Sequence, residues 1–314
     1  MASITILAPC FNEADNVTEL HARISTALDS RPGHDYRILF IDNASRDGTV
    51  QALRALAEQD PRVGVIVNVR NFGHIRSPYH GLLQAPGDAV VILASDLQDP
   101  PELIPAFIDA WVGGARVIMG VKRTSEEQYL FWLLRSAYYR LVKAMADVEV
   151  IEHATGFGMY DRKVLEILRS LDDPYPYFRG LISEIGFPPV RIAYDQPLRK
   201  RGVTKNNFYT LWDIAMLGLT THSRVPLRIS TLFGFALAAC SFGLSVGYVM
   251  LKLVWWDQFQ LGYAPLLAGT FFLSGVQLVS VGVLGEYLGA VLTHLRRMPH
   301  VVEAERFGAP WANK

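Results

Sequence analysis

Cysteine is nearly absent from this chain. Cys10 and Cys240 are the only two in 314 residues, one in a predicted strand and one in an apolar run. That leaves neither a disulfide framework nor a cysteine zinc site, and it suits a reducing, cytosolic compartment for the N-terminal part. Net charge is absent as well: 30 Lys and Arg balance 30 Asp and Glu. Without a basic excess there is no electrostatic reason to expect nucleic acid as a partner. The opening "MASITILAPC" lacks a basic n-region and a small-residue cleavage pattern, so no signal peptide is expected.

Apolar residues are abundant, at 50% of the chain, and the excess lies toward the C-terminus. No charged residue occurs from Ile229 to Leu251, or from Gln258 to Gly285. At 1.5 Å per helical residue, about 20 residues cross a hydrocarbon core, so each run is long enough. The short aromatic connection "KLVWWDQFQLGY" suits a turn at the lipid–water interface. A two-helix transmembrane hairpin is expected, with helices at about 229–254 and 263–290. Arg224, Arg228, Arg296 and Arg297 flank its outer ends against Lys252 near the turn, which puts both termini in the cytoplasm of an inner (plasma) membrane protein. Glu286 fits the interface or a helix contact. The expected division is a cytosolic domain over 1–205, an amphipathic juxtamembrane helix over 206–227, two transmembrane helices within 228–293, and a cytosolic tail over 294–314.

Before residue 200 short apolar runs alternate with amphipathic stretches. "ITILAPC", "YRILFID", "VGVIVN", "AVVILAS" and "ARVIMGV" read as strands buried on both faces. "EADNVTELHARISTAL" and "DGTVQALRALAEQ" carry apolar residues at helical spacing. Such alternation predicts an α/β domain with a mostly parallel sheet, and ligands then gather at the C-terminal ends of the strands. The polar clusters obey this rule: "FNE", "DNASRDGT", "RNFGH" and "SDLQD" follow the first four strands in turn. In "SDLQDPPE", Asp99 is read as a helix cap, Pro100 as the first helical residue, and Glu102 as the far half of a capping box. Asp96 is read instead as ending an apolar strand, where a carboxylate is costly unless paired or bound to a cation.

With these pieces in order, the chain resembles the family 2 glycosyltransferases of GT-A (Rossmann-like) fold, and in particular their polyprenyl-phosphate branch. The resemblance rests on "APCFNEADNV", "FIDNASRDGT", "RNFG", "DLQDPPE", "RKRGVTK" and "GVLGEYLGAV" and covers nearly the whole chain. It implies that Pro9, Phe11, Glu13 and Asp42 hold the base and ribose of a UDP- or GDP-linked sugar, with Asn43 and Asn71 beside them. It implies Mg²⁺ or Mn²⁺ on Asp96 and Gln98, and phosphate binding by Arg199, Arg201 and Lys205 beside the lipid bilayer, where the same basic run also suits lipid headgroups. The activity implied is transfer of a sugar to polyprenyl phosphate with inversion, in a chain whose relatives can be tetrameric. Small residues along the spans suit helix contacts in such a homo-oligomer.

Three positions depart from the family's pattern. Asn43 replaces the second acid after strand two, Ala94 the first Asp of Asp-x-Asp, and Gly156 the position of a proposed catalytic Asp. A phosphomonoester has a second pKa near 6, so a lipid phosphate arrives mostly as a dianion and is already a nucleophile. It needs placement and charge neutralisation more than a protein base. Arg179 is the next candidate for phosphate binding, Glu184 is a candidate substitute acid or base beside a structural reading, and His153 is read as a loop histidine. The alternative to an enzyme is a non-catalytic nucleotide-binding partner in a membrane glycan assembly. A processive polysaccharide synthase would carry Gln-x-x-Arg-Trp and more spans, and this chain has neither.

Overall fold

The computed structural model describes residues 1–122, 154–171, 176, 178–196, 225–255, 263–295, 299 and 301–308. In chain order the elements are β1 (Ser3–Cys10), α1 (Ala14–Asp29), β2 (Asp35–Asp42), α2 (Thr49–Gln59), β3 (Val63–Asn68), α3 (Gly73–Gln84) and β4 (Ala89–Ile92). A 3-10 turn (Pro101–Leu103) leads to α4 (Ile104–Val112), β5 (Val117–Lys122), β6 (Ala154–Asp161), α5 (Arg162–Leu171), α6 (Phe178–Ile185) and β7 (Pro189–Tyr194). Two long helices follow, α7 (Val225–Val254) and α8 (Tyr263–Leu295), and then a last strand, β8 (Glu303–Gly308).

Among the described residues eight strands form one sheet in the order β7-β5-β6-β4-β1-β2-β3-β8. β4, β1, β2 and β3 are parallel, while β6 and β8 run against their neighbours. Strand alternation sends side chains to two cores. Ile38 and Phe40 of β2 face α1, α2 and α4, where Leu20, Ile24, Leu53 and Phe107 are buried. Leu39 and Ile41 face the other side, with Tyr79, Leu82, Val164 and Leu168 of α3 and α5. Both faces are therefore apolar, and the polar groups of the central strands are left to their ends.

The expected strands β1, β2, β3 and β5 begin and end within two residues of the apolar runs that announce them. β4 stops at Ile92, so Asp96 stands in a turn and does not end a strand. Helix α3 has no apolar period to reveal it and holds Pro78 in its interior. The stretch read as a tail supplies β8, paired antiparallel with β3 from Gly64↔Gly308 to Asn68↔Glu303. Side chains lock that edge: Arg54 pairs with Glu305 at 2.8 Å and lies 4.3 Å over the Phe307 ring. His80 of α3 meets Glu303 at 2.5 Å, and Arg306 reaches Gln84 at 2.9 Å.

Among the described residues one helix, α8, is long and apolar enough to cross a bilayer, with the window Phe272–Gly289 at a mean hydropathy of 1.3. The apolar stretch of α7, Ile229–Leu244, is shorter. Both helices expose large apolar side chains, among them Phe235, Phe242 and Leu244 on α7 and Leu278 and Val279 on α8. Ser230 and Ser280 join the two helices at 3.0 Å.

Deleting residues 301–308 uncovers the β3 edge, where Val63, Val65 and Val67 are buried. At about 1.5–3 kcal/mol for each fully buried aliphatic side chain, partial exposure of this row removes several kcal/mol. The thermal midpoint of the detergent-solubilised chain should fall by more than about 5 °C; calorimetry or near-ultraviolet circular dichroism checks it.

Candidate active site at the strand ends

The loops after β1 and β2 are stitched together by hydrogen bonds. The Asn12 amide donates to Ser45 Oγ at 2.8 Å and the Arg46 amide to Asn12 Oδ1 at 2.9 Å. The Glu13 amide donates to Thr49 Oγ1 at 2.9 Å and the Ala14 amide to Asp47 Oδ2 at 3.3 Å. Pro9, Phe11 and Glu13 are half-buried along this seam, and Asn16 donates to the Glu13 carboxylate. Asp42 is fully covered, accepting the Ser45 amide at 2.9 Å and the Ser45 hydroxyl. Burial pushes its carboxyl up, against the two bonds from Ser45 that pull it down. Burial acts the same way on Asp47, but bonds from Thr49 and the Ala14 amide outweigh it and hold that carboxyl low.

Among the described residues three other than glycine adopt left-handed backbone: Asn12 (φ 57), Ala44 (φ 60) and Leu97 (φ 61). They follow β1, β2 and β4 respectively, so each marks the exit of a parallel strand into the same rim. Asn tolerates this region, but Ala and Leu are strained there by about 1–2 kcal/mol each. Such strain concentrates at functional sites.

Leu97 shapes the turn that carries the metal candidates. It is buried, while Asp96 and Gln98 on either side are half-buried, and the Gln98 amide donates to Asp96 Oδ1 at 3.2 Å. Asp99 does not cap a helix. It is buried, with Oδ2 accepting the Ala94 amide and Oδ1 the Tyr194 hydroxyl, both at 3.0 Å. Nor is there a capping box: Glu102 instead forms a two-point pair with Arg23 of α1 at 2.8 Å, and Pro101, not Pro100, takes the first helical position. Burial pushes the Asp99 carboxyl up, the Ala94 and Tyr194 bonds oppose this, and the charge of Asp96 adds to the rise. A carboxylate at Asp96 and an amide oxygen at Gln98, beside the buried acid Asp99, form a donor set suited to a hard divalent cation. Among the described residues no three His, Cys, Asp or Glu side chains cluster as metal ligands. A cation here would therefore depend on ligand phosphates and water for the rest of its shell.

Asn43, expected among the donor-binding residues, is buried and engages Asn68, Asn71, Phe72 and Gly73. Asn71 is exposed beside it. Gly156 lies in β6 at φ +95, with open space where a side chain would begin. The departure there is a backbone demand that an Asp would meet only with strain. Glu184 is exposed on α6, not on any of the four strand-end loops, and Arg179 lies in the first turn of that helix. Arg199, Arg201, Lys205 and His153 lie outside the described residues. The sequence reading missed Tyr194, and it missed the 3.1 Å contact between Cys10 Sγ and Ser95 Oγ that ties β1 to the turn carrying Asp96. Burial keeps the Cys10 thiol protonated, so it acts as a packed tether. The hydroxyl of Tyr194, which seeks a hydrogen-bond partner when the ring is buried, was the available signal.

Asp42 gives a pH test. Its folded pKa lies above the unfolded value, so its contribution to stability is complete below about pH 4 and is lost as pH rises through the folded pKa. Parent stability relative to Asp42→Asn should therefore decline as pH rises above about 4, measured by urea unfolding. Ala44→Gly should raise stability by about 0.5–1 kcal/mol, the relief of strain exceeding the entropic cost of glycine; the same unfolding curves report it.

The pattern described as Glycosyl transferase family 2 matches residues 5–168, from β1 into α5. The chain is 31% identical over 306 residues to "Uncharacterized glycosyltransferase YkcC" of Bacillus subtilis (strain 168), covering 97% of this chain and 94% of that protein. It is likewise 31% identical over 309 residues to "SfII prophage-derived bactoprenol glucosyl transferase" of Shigella flexneri, covering 98% and 99%. Among solved structures, mannosyltransferase PcManGT from Pyrobaculum calidifontis, in complex with GDP-Man and Mn²⁺, aligns over 94% of this chain and 87% of its own, with 20% identity and a TM-score of 0.47. Matched through its strand-end loops and over nearly its full length, this chain belongs to glycosyl transferase family 2.

Proposed function

We propose that this glycosyltransferase moves a sugar, with inversion, from a UDP- or GDP-linked donor to a polyprenyl phosphate at the inner face of a membrane. Relatives aligned over nearly the whole chain are named for bactoprenol, a polyprenyl alcohol, which supports the acceptor class. The observation that carries the reading for this chain is where it enters and leaves the sheet. β7 pairs in parallel with β5 and finishes at Tyr194, in register with Lys122 and bonded to Asp99, before the chain runs on toward α7. β8 begins next to β3's exit, where the Val302 carbonyl accepts the Val69 amide at 3.0 Å. These are the two edges of the sheet, and both connections to the apolar helices leave from the rim that holds the candidate site.

The topology supports the hairpin too. β3 and β8 share one sheet, so any membrane crossings by the chain between them would be even in number. If α8 spans, α7 is its natural partner, with both termini on the side favoured by the flanking arginines. Leu295 to Val302 reaches at most about 25 Å when extended, which keeps the loop after β3 close to the end of α8.

In this reading Pro9, Phe11, Glu13, Asp42 and Asn71 bind the donor's base, ribose and phosphates. Asp42 would exchange its two bonds from Ser45 for bonds to the ligand. Asp96 and Gln98 would hold Mg²⁺ or Mn²⁺, which supplies charge neutralisation to the departing nucleotide diphosphate. Arg199, Arg201 and Lys205, with Arg179, gather the acceptor phosphate as multivalent, charge-assisted donors. An acceptor phosphate oxygen forms the new bond to the anomeric carbon as the old bond to the diphosphate breaks, and the electron pair leaves with the nucleotide. The dianion has no proton to surrender, so neither Glu184 nor a residue at position 156 is required as base. No relative named here favours the non-catalytic alternative.

Purified chain with undecaprenyl phosphate, Mn²⁺ or Mg²⁺ and a panel of UDP- and GDP-sugars should yield one lipid-linked sugar. Asp96→Ala and Arg201→Ala should each lower kcat/KM by about 10²-fold or more. No product from any donor, or variants as active as the parent, would contradict the reading.

A further inference from the structure

The side chain of Asn43 is accounted for atom by atom. Its Nδ2 donates to Asn71 Oδ1 at 3.0 Å and to the Gly73 carbonyl at 3.1 Å. Its Oδ1 accepts the Phe72 amide at 2.9 Å and Asn68 Nδ2 at 3.1 Å. The orientation is fixed by chemistry, because a backbone amide can only donate and a backbone carbonyl can only accept. The Phe72 amide therefore demands oxygen on its side, and the Gly73 carbonyl demands nitrogen on the other. Two donors and two acceptor sites are the whole capacity of a primary amide, so nothing of Asn43 is left for a ligand.

The orientation propagates. Asn71 must present Oδ1 to Asn43, and the Gly73 amide reinforces this by donating to the same oxygen at 2.7 Å. What Asn71 retains for a ligand is its NH₂ group, on an exposed residue. That group is a donor only, suited to phosphate or sugar hydroxyl oxygens. Asn68, also buried, anchors the inner side through Ser77 Oγ at 3.0 Å, and the Arg70 guanidinium lies 4.0 Å over the Phe72 ring on the outer side. Gly73, at φ +87, lets the chain turn straight into α3.

We infer that Asn43 is a positioning residue for the donor loop over residues 69–73, and that it fixes Asn71 to offer its NH₂ to oxygen atoms of the nucleotide sugar. This rests on the reading of the strand ends as the donor site. A carboxylate at position 43 gives the opposite outcome from a gain of acidic binding power. It cannot donate to the Gly73 carbonyl, it sets an anion against that oxygen, and Asn71 can turn to meet it only by giving up the Gly73 amide.

Calorimetry on the full-length chain in detergent, with Mn²⁺ and either UDP or GDP as probe, tests this. Asn43→Asp should bind the preferred nucleotide at least about tenfold more weakly, with faster hydrogen exchange at the Phe72 and Gly73 amides. Asn71→Asp keeps an accepting oxygen for Asn43 and the Gly73 amide but replaces the NH₂ donor with an anionic oxygen, so it should lose affinity at least to a similar degree with an unchanged thermal midpoint; it also serves if Asn43→Asp does not fold. A parent that binds one nucleotide while Asn43→Asp or Asn71→Asp binds it equally or more tightly overturns the inference alone. A parent that binds neither nucleotide overturns the donor-site reading and the inference with it.

Discussion

Backbone pairing joins β3 to a strand made from the far end of the chain, beyond both apolar helices. A ladder of this kind cannot form unless the chain returns to the sheet after both apolar helices, so it constrains where those helices begin and end as firmly as it constrains the sheet. It also sets orientation. Because β8 is antiparallel to β3, its entry point lies at the rim where β1, β2 and β4 release their polar loops. Because β7 is parallel to β5, the opposite edge departs from that rim as well. Both connections to the apolar helices thus leave from the two edges of one rim, with the candidate site between them.

At the rim, polarity is concentrated under constraint. Both faces of the sheet are occupied by apolar side chains, so carboxylates gather where the strands stop. Two of them, Asp42 and Asp99, are buried with raised pKa values and are held by short loops. Strained backbone at Ala44 and Leu97 is maintained by those same bonds and by the burial of Leu97. Such a rim is costly for stability, and its cost is understandable if bound nucleotide and cation complete it.

Much of this was legible in the residues. Doubly buried strands announce themselves as apolar runs, and the strand-end rule then located the rim without any structure. What stayed hidden had physical reasons. α3 carries Pro78 and polar residues on its surface, so its packing against β1 and β2 through Gly81 left no periodic trace. β8, "EAERFG", is a charged edge strand, which reads as tail because an edge needs little apolar surface. "DPPE" has the letters of a capping box, yet Asp99 and Glu102 found tertiary partners in Tyr194 and Arg23. Asn43 looked like a lost acid because sequence shows residue type and not the four groups that surround it.

The central claim is that the nucleophile arrives as a phosphate dianion and that the protein supplies no base. The pH dependence of kcat/KM for transfer to undecaprenyl phosphate, run beside undecaprenol as acceptor, tests it most directly. The account predicts a single rise governed by a pKa near 6, unchanged in Glu184→Gln, and no transfer to the alcohol. A limb that moves or vanishes in Glu184→Gln, or efficient transfer to undecaprenol, would contradict it.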